Sequence, residues 1–422
     1  MDLRHAVLHL LPLRALACIL ATSNGWRGFA DGYVSSLHVA DTVARWLFSP
    51  EGHVRLAALR QRQVALVVGG YDSRWNDGDT GCGMDDGPGC LQSAEPVCCL
   101  RPPYAEAAPT WLALPDLQRR RADVAVVAAS SGTVYAVGGR EGVVPHRSVE
   151  VLKLPLWQLR RQGWQEAGCP PMRERRSGLV AAAVHGALVA AGGCDSIAAG
   201  DIGHELSSAE ILRIGNTDGG DGGDGGGEWS ALPPMHCSRV YAASAVLNDG
   251  IYVLGGRSSP HSAEMLDLGG QTWLQLPSLL GHRFSASAVT YRGRIVVFGG
   301  AAPGPAEVFD PREGVWKLAA WEWLHAHGCL VGSSAVIDGD TLYIMGGMNP
   351  HAVQGGLLPE RPDCSSQVVR IFDMRYAGAG AAAPASIWGE PPPSGGPPPP
   401  PGIAMLRSPR WCGGVCVTSM AC

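Results

Sequence analysis

A short apolar run that ends in two glycines recurs along the chain. The runs are VALVVGG closing at Gly69-Gly70, TVYAVGG at Gly138-Gly139 and ALVAAGG at Gly192-Gly193, then IYVLGG at Gly255-Gly256, RIVVFGG at Gly299-Gly300 and LYIMGG at Gly346-Gly347. Runs this short, bounded by glycine, read as strands rather than helices. Each is preceded by another apolar stretch and a tight turn, as at Asn248-Asp249-Gly250, Arg292-Gly293-Arg294 and Asp338-Gly339-Asp340, which are residues suited to hairpin connections. Downstream, a Glu after a small residue opens a third strand at Glu95, Glu150, Glu210, Glu264 and Glu307, and a Trp marks a fourth at Trp111, Trp164, Trp229, Trp273 and Trp316. The pattern therefore predicts repeated four-stranded antiparallel sheets, each too small to bury its own faces and obliged to stack on its neighbours.

The successive glycine pairs are 69, 54, 63, 44 and 47 residues apart, and Arg176, Arg239 and Arg283 each stand 16 residues before the first glycine of the next pair. In the Gly138 unit that place is Ala122. The nearest arginine, Arg121, is one residue early, an offset that in a regular strand turns a side chain to the other side. A seventh unit is expected at the N-terminus, with strands at residues 4–10 and 15–21 and Thr22-Ser23 in the glycine positions; Thr22 keeps the period, 47 residues before Gly69. The apolar run over 6–21 also has the look of a leader peptide, but Pro12 and Arg14 interrupt it and the hairpin accounts for the same residues.

An apolar strand, a turn, a second strand ending Gly-Gly, then a Glu and a Trp, with an upstream arginine in three units, resembles the kelch repeat. The resemblance covers residues 1–376 and implies an all-β, kelch-type β-propeller with four antiparallel strands per blade, seven blades expected and six the alternative. It also implies that a terminal strand closes the ring, for which residues 4–10 and 410–417 compete. Many kelch proteins are receptors of ubiquitin ligases with an N-terminal BTB or F-box domain; neither pattern is recognised in these residues.

Composition adds organisation. Residues 377–409 are an Ala/Gly/Pro-rich linker, and 410–422 are a closing strand or a tail. Long insertions fall at 71–92, 194–206, 216–227 and 348–366. The third reads NTDGGDGGDGGG, an excursion whose Asp spacing lacks the twelfth-position acid of a calcium loop. A net charge of −5 without a basic run gives no pull toward nucleic acid or an anionic membrane. Thirteen cysteines without a Cys-x-x-Cys pair fit a reducing compartment, and the expected location is cytoplasmic, with the nucleus as an alternative.

Strand alternation brings the start of the first strand, the end of the second and the start of the third to one face, together with the long post-glycine segments. That face is the expected interaction surface, for another protein, with Arg121, Arg140, Arg176, Arg239, Arg257 and Arg283 as candidate contacts. For the register arginines the competing reading is a structural tie to the repeated glutamates. The expected function is a scaffold or adaptor, by family analogy a substrate-recognition component of a ubiquitin ligase. The alternative is a carbohydrate-related enzyme, a sugar-acid isomerase or oxidase. No catalytic, cofactor-binding or metal-ligating set is predicted: the tyrosines Tyr135, Tyr252 and Tyr343 occupy core positions of second strands, and no His-x-x-x-His, phosphate loop or dinucleotide fingerprint appears in its required context.

Overall fold

The computed structural model describes residues 62–70, 94–98, 115–129, 132–153, 163–198, 201–214, 227–302, 304–319, 321, 331–347, 369–374 and 414–420. The chain divides into two compact units. The first comprises 1–62, 155–158 and 419–422 and lies almost wholly outside the described residues, as do the expected N-terminal repeat, Trp111, the insertions 71–92 and 348–366, and the linker 377–409. The second unit, 63–154 with 159–418, carries the architecture that follows.

Its described residues form strands and turns, with no helix among them. The Gly192 sheet runs Val180–Val184, Ala187–Ala191, Ala209–Arg213 and Ser230–Leu232; the Gly255 sheet Ala243–Leu247, Gly250–Leu254, Ala263–Asp267 and Thr272–Leu276; the Gly299 sheet Ser287–Tyr291, Arg294–Phe298, Glu307–Asp310 and Val315–Leu318. All three are four-stranded and antiparallel, with neighbours in sequence paired. The Gly138 sheet has strands Ala125–Ala128, Val134–Val137 and Val149–Leu152, plus a bridge from Val151 to Gln165, and the Gly346 sheet has Ser334–Asp338, Thr341–Met345 and Val369–Asp373. This is the β-propeller arrangement that the repeat implies.

The Gly69 sheet departs from the pattern. Arg62–Val68 pairs with Ala94–Cys98 on one side, Val67 opposite Glu95, but its other neighbour is Gly414–Met420 from the far end of the chain. The C-terminal strand thus fills the first-strand place of this sheet, not that of the N-terminal repeat. Gly414 follows Arg410 by four residues, the spacing of Val180 from Arg176, Ala243 from Arg239 and Ser287 from Arg283.

Burial follows from stacking. Second strands are covered on both faces, so Ala187–Ala191 and Gly250–Leu254 are buried at every position, whereas first strands such as Val180–Val184 alternate. Apolar clusters span adjacent sheets. Tyr135, Val149 and Met172 meet Leu188 and Trp229; Val189 and Met235 meet Ile251 and Trp273; Tyr252 and Leu279 meet Ile295 and Trp316. The fourth-strand Trp therefore closes the gap to the preceding sheet. Its indole N–H donates to the carbonyl that ends that sheet: Trp229 to Pro170 at 2.9 Å, Trp273 to Pro233 at 2.8 Å and Trp316 to Pro277 at 3.1 Å.

The glycine pairs sit where two sheets come closest. Their φ values are positive, 61 and 86° at Gly138-Gly139 and 65 and 88° at Gly192-Gly193, the left-handed region that glycine enters without cost. A Cβ on Gly192 would lie 2.5 Å from the Arg239 carbonyl oxygen of the next unit. Gly314 has a similar φ of 68°, but a Cβ there would meet nothing within 4 Å. Gly314→Ala is expected to cost only the left-handed penalty, about 1–2 kcal/mol. Gly192→Ala adds the clash and should cost severalfold more. Paired thermal melts of the two variants check this, and equal losses would show that close approach is unimportant.

Candidate functional site

The site is built by the segment that enters each first strand. In four units an apolar residue (Leu117, Met172, Met235 or Leu279) is followed four positions later by Arg121, Arg176, Arg239 or Arg283. These apolar residues are 1–4% exposed and the arginines 0–1%. Each guanidinium pairs with the third-strand glutamate of its own unit: Arg121 Nε with Glu150 at 2.9 Å, Arg176 Nε with Glu210 at 2.8 Å, Arg239 Nη2 with Glu264 at 2.6 Å and Arg283 Nη2 with Glu307 at 2.6 Å. The same carboxylates accept backbone N–H groups of the entering segment: Gln118 and Arg119, Arg173, His236 and Cys237, Leu280 and Gly281. Burial opposes ionisation of Glu264, but the His236 amide and Arg239 outweigh it and hold the carboxyl below its usual range.

Each arginine also donates from Nη1 to the carbonyl of the first glycine: Arg121 to Gly138 at 2.6 Å, Arg176 to Gly192 at 2.8 Å, Arg239 to Gly255 at 2.7 Å and Arg283 to Gly299 at 3.2 Å. The N–H of the second glycine donates onward to the carbonyl of the next unit's arginine, Gly139 to Arg176, Gly193 to Arg239 and Gly256 to Arg283, at 2.7–2.9 Å. One peptide group per unit is thus held between two arginines of adjacent sheets.

Arg121 makes the full set of these bonds despite its sequence offset. Its extra residue lies downstream, between Ala129 and Thr133, where three residues intervene and the Ala129 amide donates to Thr133. The corresponding turn in the Gly192 unit has two, His185 and Gly186, between paired Val184 and Ala187. The side chain is therefore not turned away, and the spacing to Leu117 is the signal that aligns it.

Of the other candidate contacts, Arg257 is exposed, and its backbone amide donates to Val240 at 3.0 Å. Arg140 is 2% exposed and reaches Asp123, Nε to Oδ2 at 2.5 Å, with Nη1 on Gly142 O at 2.7 Å. Asp123 carries no repeat signal that marks it in the sequence. Its Oδ2 also receives the Tyr241 hydroxyl at 2.9 Å and Ser177 Oγ at 3.4 Å, so the cluster draws on three units. The Tyr135, Tyr252 and Tyr343 side chains are buried, as their strand positions require.

Asp123 belongs to an arc of backbone bonds across five units, referred to as the axial ring. The second residue after each arginine, and its counterpart Gly332, has a left-handed backbone: φ is 53° at Asp123, 64° at Gly178, 54° at Tyr241, 54° at Ser285 and 64° at Gly332. Their peptides join head to tail. Gly178 N–H donates to Asp123 O, Tyr241 to Gly178, Ser285 to Tyr241 and Gly332 to Ser285, all at 2.9–3.0 Å. Positive φ is costly for a bulky residue such as Tyr, and this chain of bonds holds it. Inside the ring lies a cavity of about 130 Å³ lined by these residues with Ser333 and Ser334. Among the described residues no three His, Cys, Asp or Glu side chains converge as metal ligands, and the buried thiols Cys169 and Cys194 are pushed up to about 12 by burial.

The two classes of arginine should separate by stability. Arg176→Met strands a buried carboxylate and is expected to cost about 3–5 kcal/mol, with Glu210→Gln restoring part of it in the double variant. Arg257→Ala should stay within about 0.5 kcal/mol of wild type; urea denaturation measures all four proteins. His146, 9% exposed and pushed down to about 4 by burial and then by Arg121, should make stability depend on pH. The unfolded chain protonates it below about 6.5 while the folded one does not, so stability falls as pH drops toward 4, by about 2 kcal/mol at pH 5. His146→Gln should flatten melting curves over pH 5–7.

Residues 238–280 match the kelch motif family. A protein of Arabidopsis thaliana described as an F-box/kelch-repeat protein is 32% identical over 124 residues, which are 28% of this chain and 31% of that relative. The alignment thus spans under a third of the relative's length. The matched motif runs from just ahead of Arg239, through its glycine pair and glutamate, to the end of the Gly255 sheet, and the sheets on either side repeat the same bonds. Residues 238–280 thus carry a kelch motif, set among sheets built on the same bonds.

Proposed function

We propose that this chain is a protein-interaction module that takes its partner on the face bearing the axial ring. Kelch repeats generally serve protein–protein interaction, and the F-box/kelch relative supports the narrower reading that this chain recognises substrates for a ubiquitin ligase. The carrying observation is the distribution of polar groups on that face. The register arginines are consumed inside the sheets, while the post-glycine segments hold Glu141, His204 and Arg257 exposed. The axial cavity, about 130 Å³, is smaller than the roughly 300–1,000 Å³ of small-molecule sites, which favours a surface ligand over an enclosed substrate on this face.

Proximity labelling in native cells tests the reading. The triple variant Glu141→Arg, His204→Ala, Arg257→Glu should lose labelled partners while melting like wild type. Arg312→Glu, an exposed change in the third-to-fourth strand turn on the opposite face, should keep them. Partners retained by the first and lost by the second would place the working surface on the other side.

A further inference from the structure

We infer that the apolar slot between the Gly299 and Gly346 sheets is a docking groove for this chain's own Trp388, which enters it as the fourth-strand tryptophan of the Gly346 unit. The slot lies apart from the axial ring, and the inference does not depend on the protein-binding reading.

The filled gaps show what the slot is shaped for. In the Gly255 and Gly299 units the tryptophan ends a cross-strand row, Ile251–Leu266–Trp273 and Ile295–Phe309–Trp316. The matching row of the Gly346 unit is Leu342–Phe372, and among the described residues nothing pairs with the outer edge of Val369–Asp373. Trp316 shares its apolar cluster with Leu247, Tyr252, Met265 and Leu276 of the sheet before it. The residues at the same places one unit later are Tyr291, Val296, Val308 and Ala319. All four line a cavity of about 470 Å³. Trp321 and Met374 also reach it and leave it unfilled, whereas protein interiors pack with few voids larger than a water.

The cavity is large enough for a small molecule, but such sites fix their ligand with convergent polar groups. Here the charged groups on the rim are already paired: Arg294 with Asp310 and Arg292 with Asp340, both at 2.9 Å, and Lys317 with Glu313. What remains is an apolar wall beside an open sheet edge, which suits a strand that carries an indole.

The chain itself supplies that strand. Met374 follows the third strand directly and lines the cavity, so the chain leaves the sheet at the slot. Residues 375–413, outside the described residues, hold two tryptophans, Trp388 and Trp411. Trp411 stands three residues ahead of Gly414–Met420, which belongs to the Gly69 sheet. Trp388 has a proline four residues later, Pro392, as do Trp111 with Pro115, Trp229 with Pro233 and Trp273 with Pro277. It lies 18 residues after Arg370, which pairs with Ile344 where the other units pair their glutamate. Glu210 precedes Trp229 by 19 residues across the glycine-rich insertion 216–227, and here the intervening stretch is rich in glycine and alanine. A connection of that length costs little more than a short one, because closure entropy grows only logarithmically.

The test is ¹⁹F NMR of the full chain labelled with 5-fluorotryptophan, in which the resonance absent from Trp388→Phe belongs to Trp388. That resonance should lack the H2O-to-D2O shift of an exposed indole and should move in Val308→Ala. Ala319→Phe plugs the slot from its wall and should return Trp388 to solvent. Hydrogen exchange reads the same contact without a label. The amides of Val369–Asp373 should exchange at least tenfold faster in Trp388→Ala than in wild type, with Ala243–Leu247 unchanged, and Trp388→Phe should keep most of the protection. A solvent-exposed Trp388 in the wild-type chain overturns the inference, as does a buried one indifferent to both wall variants, or exchange at Val369–Asp373 that Trp388→Ala leaves unaltered. An exposed Trp388 with anilinonaphthalene sulfonate bound in wild type and lost in Ala319→Phe also overturns it, and gives the slot to a foreign apolar ligand. An exposed Trp388 in a dimer that Ala319→Phe dissociates overturns it in favour of a second copy of the chain.

Discussion

Adjacent sheets are joined through one peptide group, the bond between the two glycines. Its carbonyl accepts from the buried arginine of its own unit, and its N–H donates to the backbone of the arginine in the next. That geometry demands two left-handed residues and no Cβ, because the partner carbonyl occupies the space where a Cβ would sit. The glutamate then neutralises the arginine and collects the amides of the entering segment. A buried ion pair contributes little net stability by itself. What it supplies here is position, since each guanidinium satisfies a glycine carbonyl that would otherwise be buried without a donor.

This tie shapes what is left for function. Four arginines are withdrawn into the sheets, while the entering segments keep Arg173 and Arg175 exposed and the post-glycine segments keep Glu141, His204 and Arg257 exposed. The second layer of inter-sheet bonding, the head-to-tail ring through Asp123, Gly178, Tyr241, Ser285 and Gly332, runs just inside the first. Because its links are backbone groups, the side chains on it can differ from unit to unit. A symmetric frame therefore presents an asymmetric set of groups, with the charge gathered at Asp123 and the hydroxyls opposite at Ser285 and Ser333.

Much of the frame is readable in the residue pattern. Second strands are covered on both faces and must be continuously apolar, so runs such as IYVLGG announce themselves, and a Trp that fills the gap between sheets must recur once per unit. The pairing of arginine with glutamate is legible as an alternative from their repetition alone. Arg121 looks displaced only when its register is counted to the glycines, across a hairpin of variable length. Counted from Leu117, it falls into line, since the entering segment is held rigid between the core and the glutamate.

Local sequence determined the strands, the turns and the glycine positions, because period, apolar content and left-handed backbone are properties of neighbouring residues. Tertiary structure alone decided two things. It set Gly414–Met420 beside Arg62–Val68, where the sequence offered a closing strand after Arg410 but not the sheet it joins. It also assembled the axial site, where Arg140, Asp123, Ser177 and Tyr241 meet from three separate units. Asp123 and Tyr241 share their spacing from the unit arginines, but the four share no residue type, and only the closing-in of successive sheets brings them within hydrogen-bonding reach.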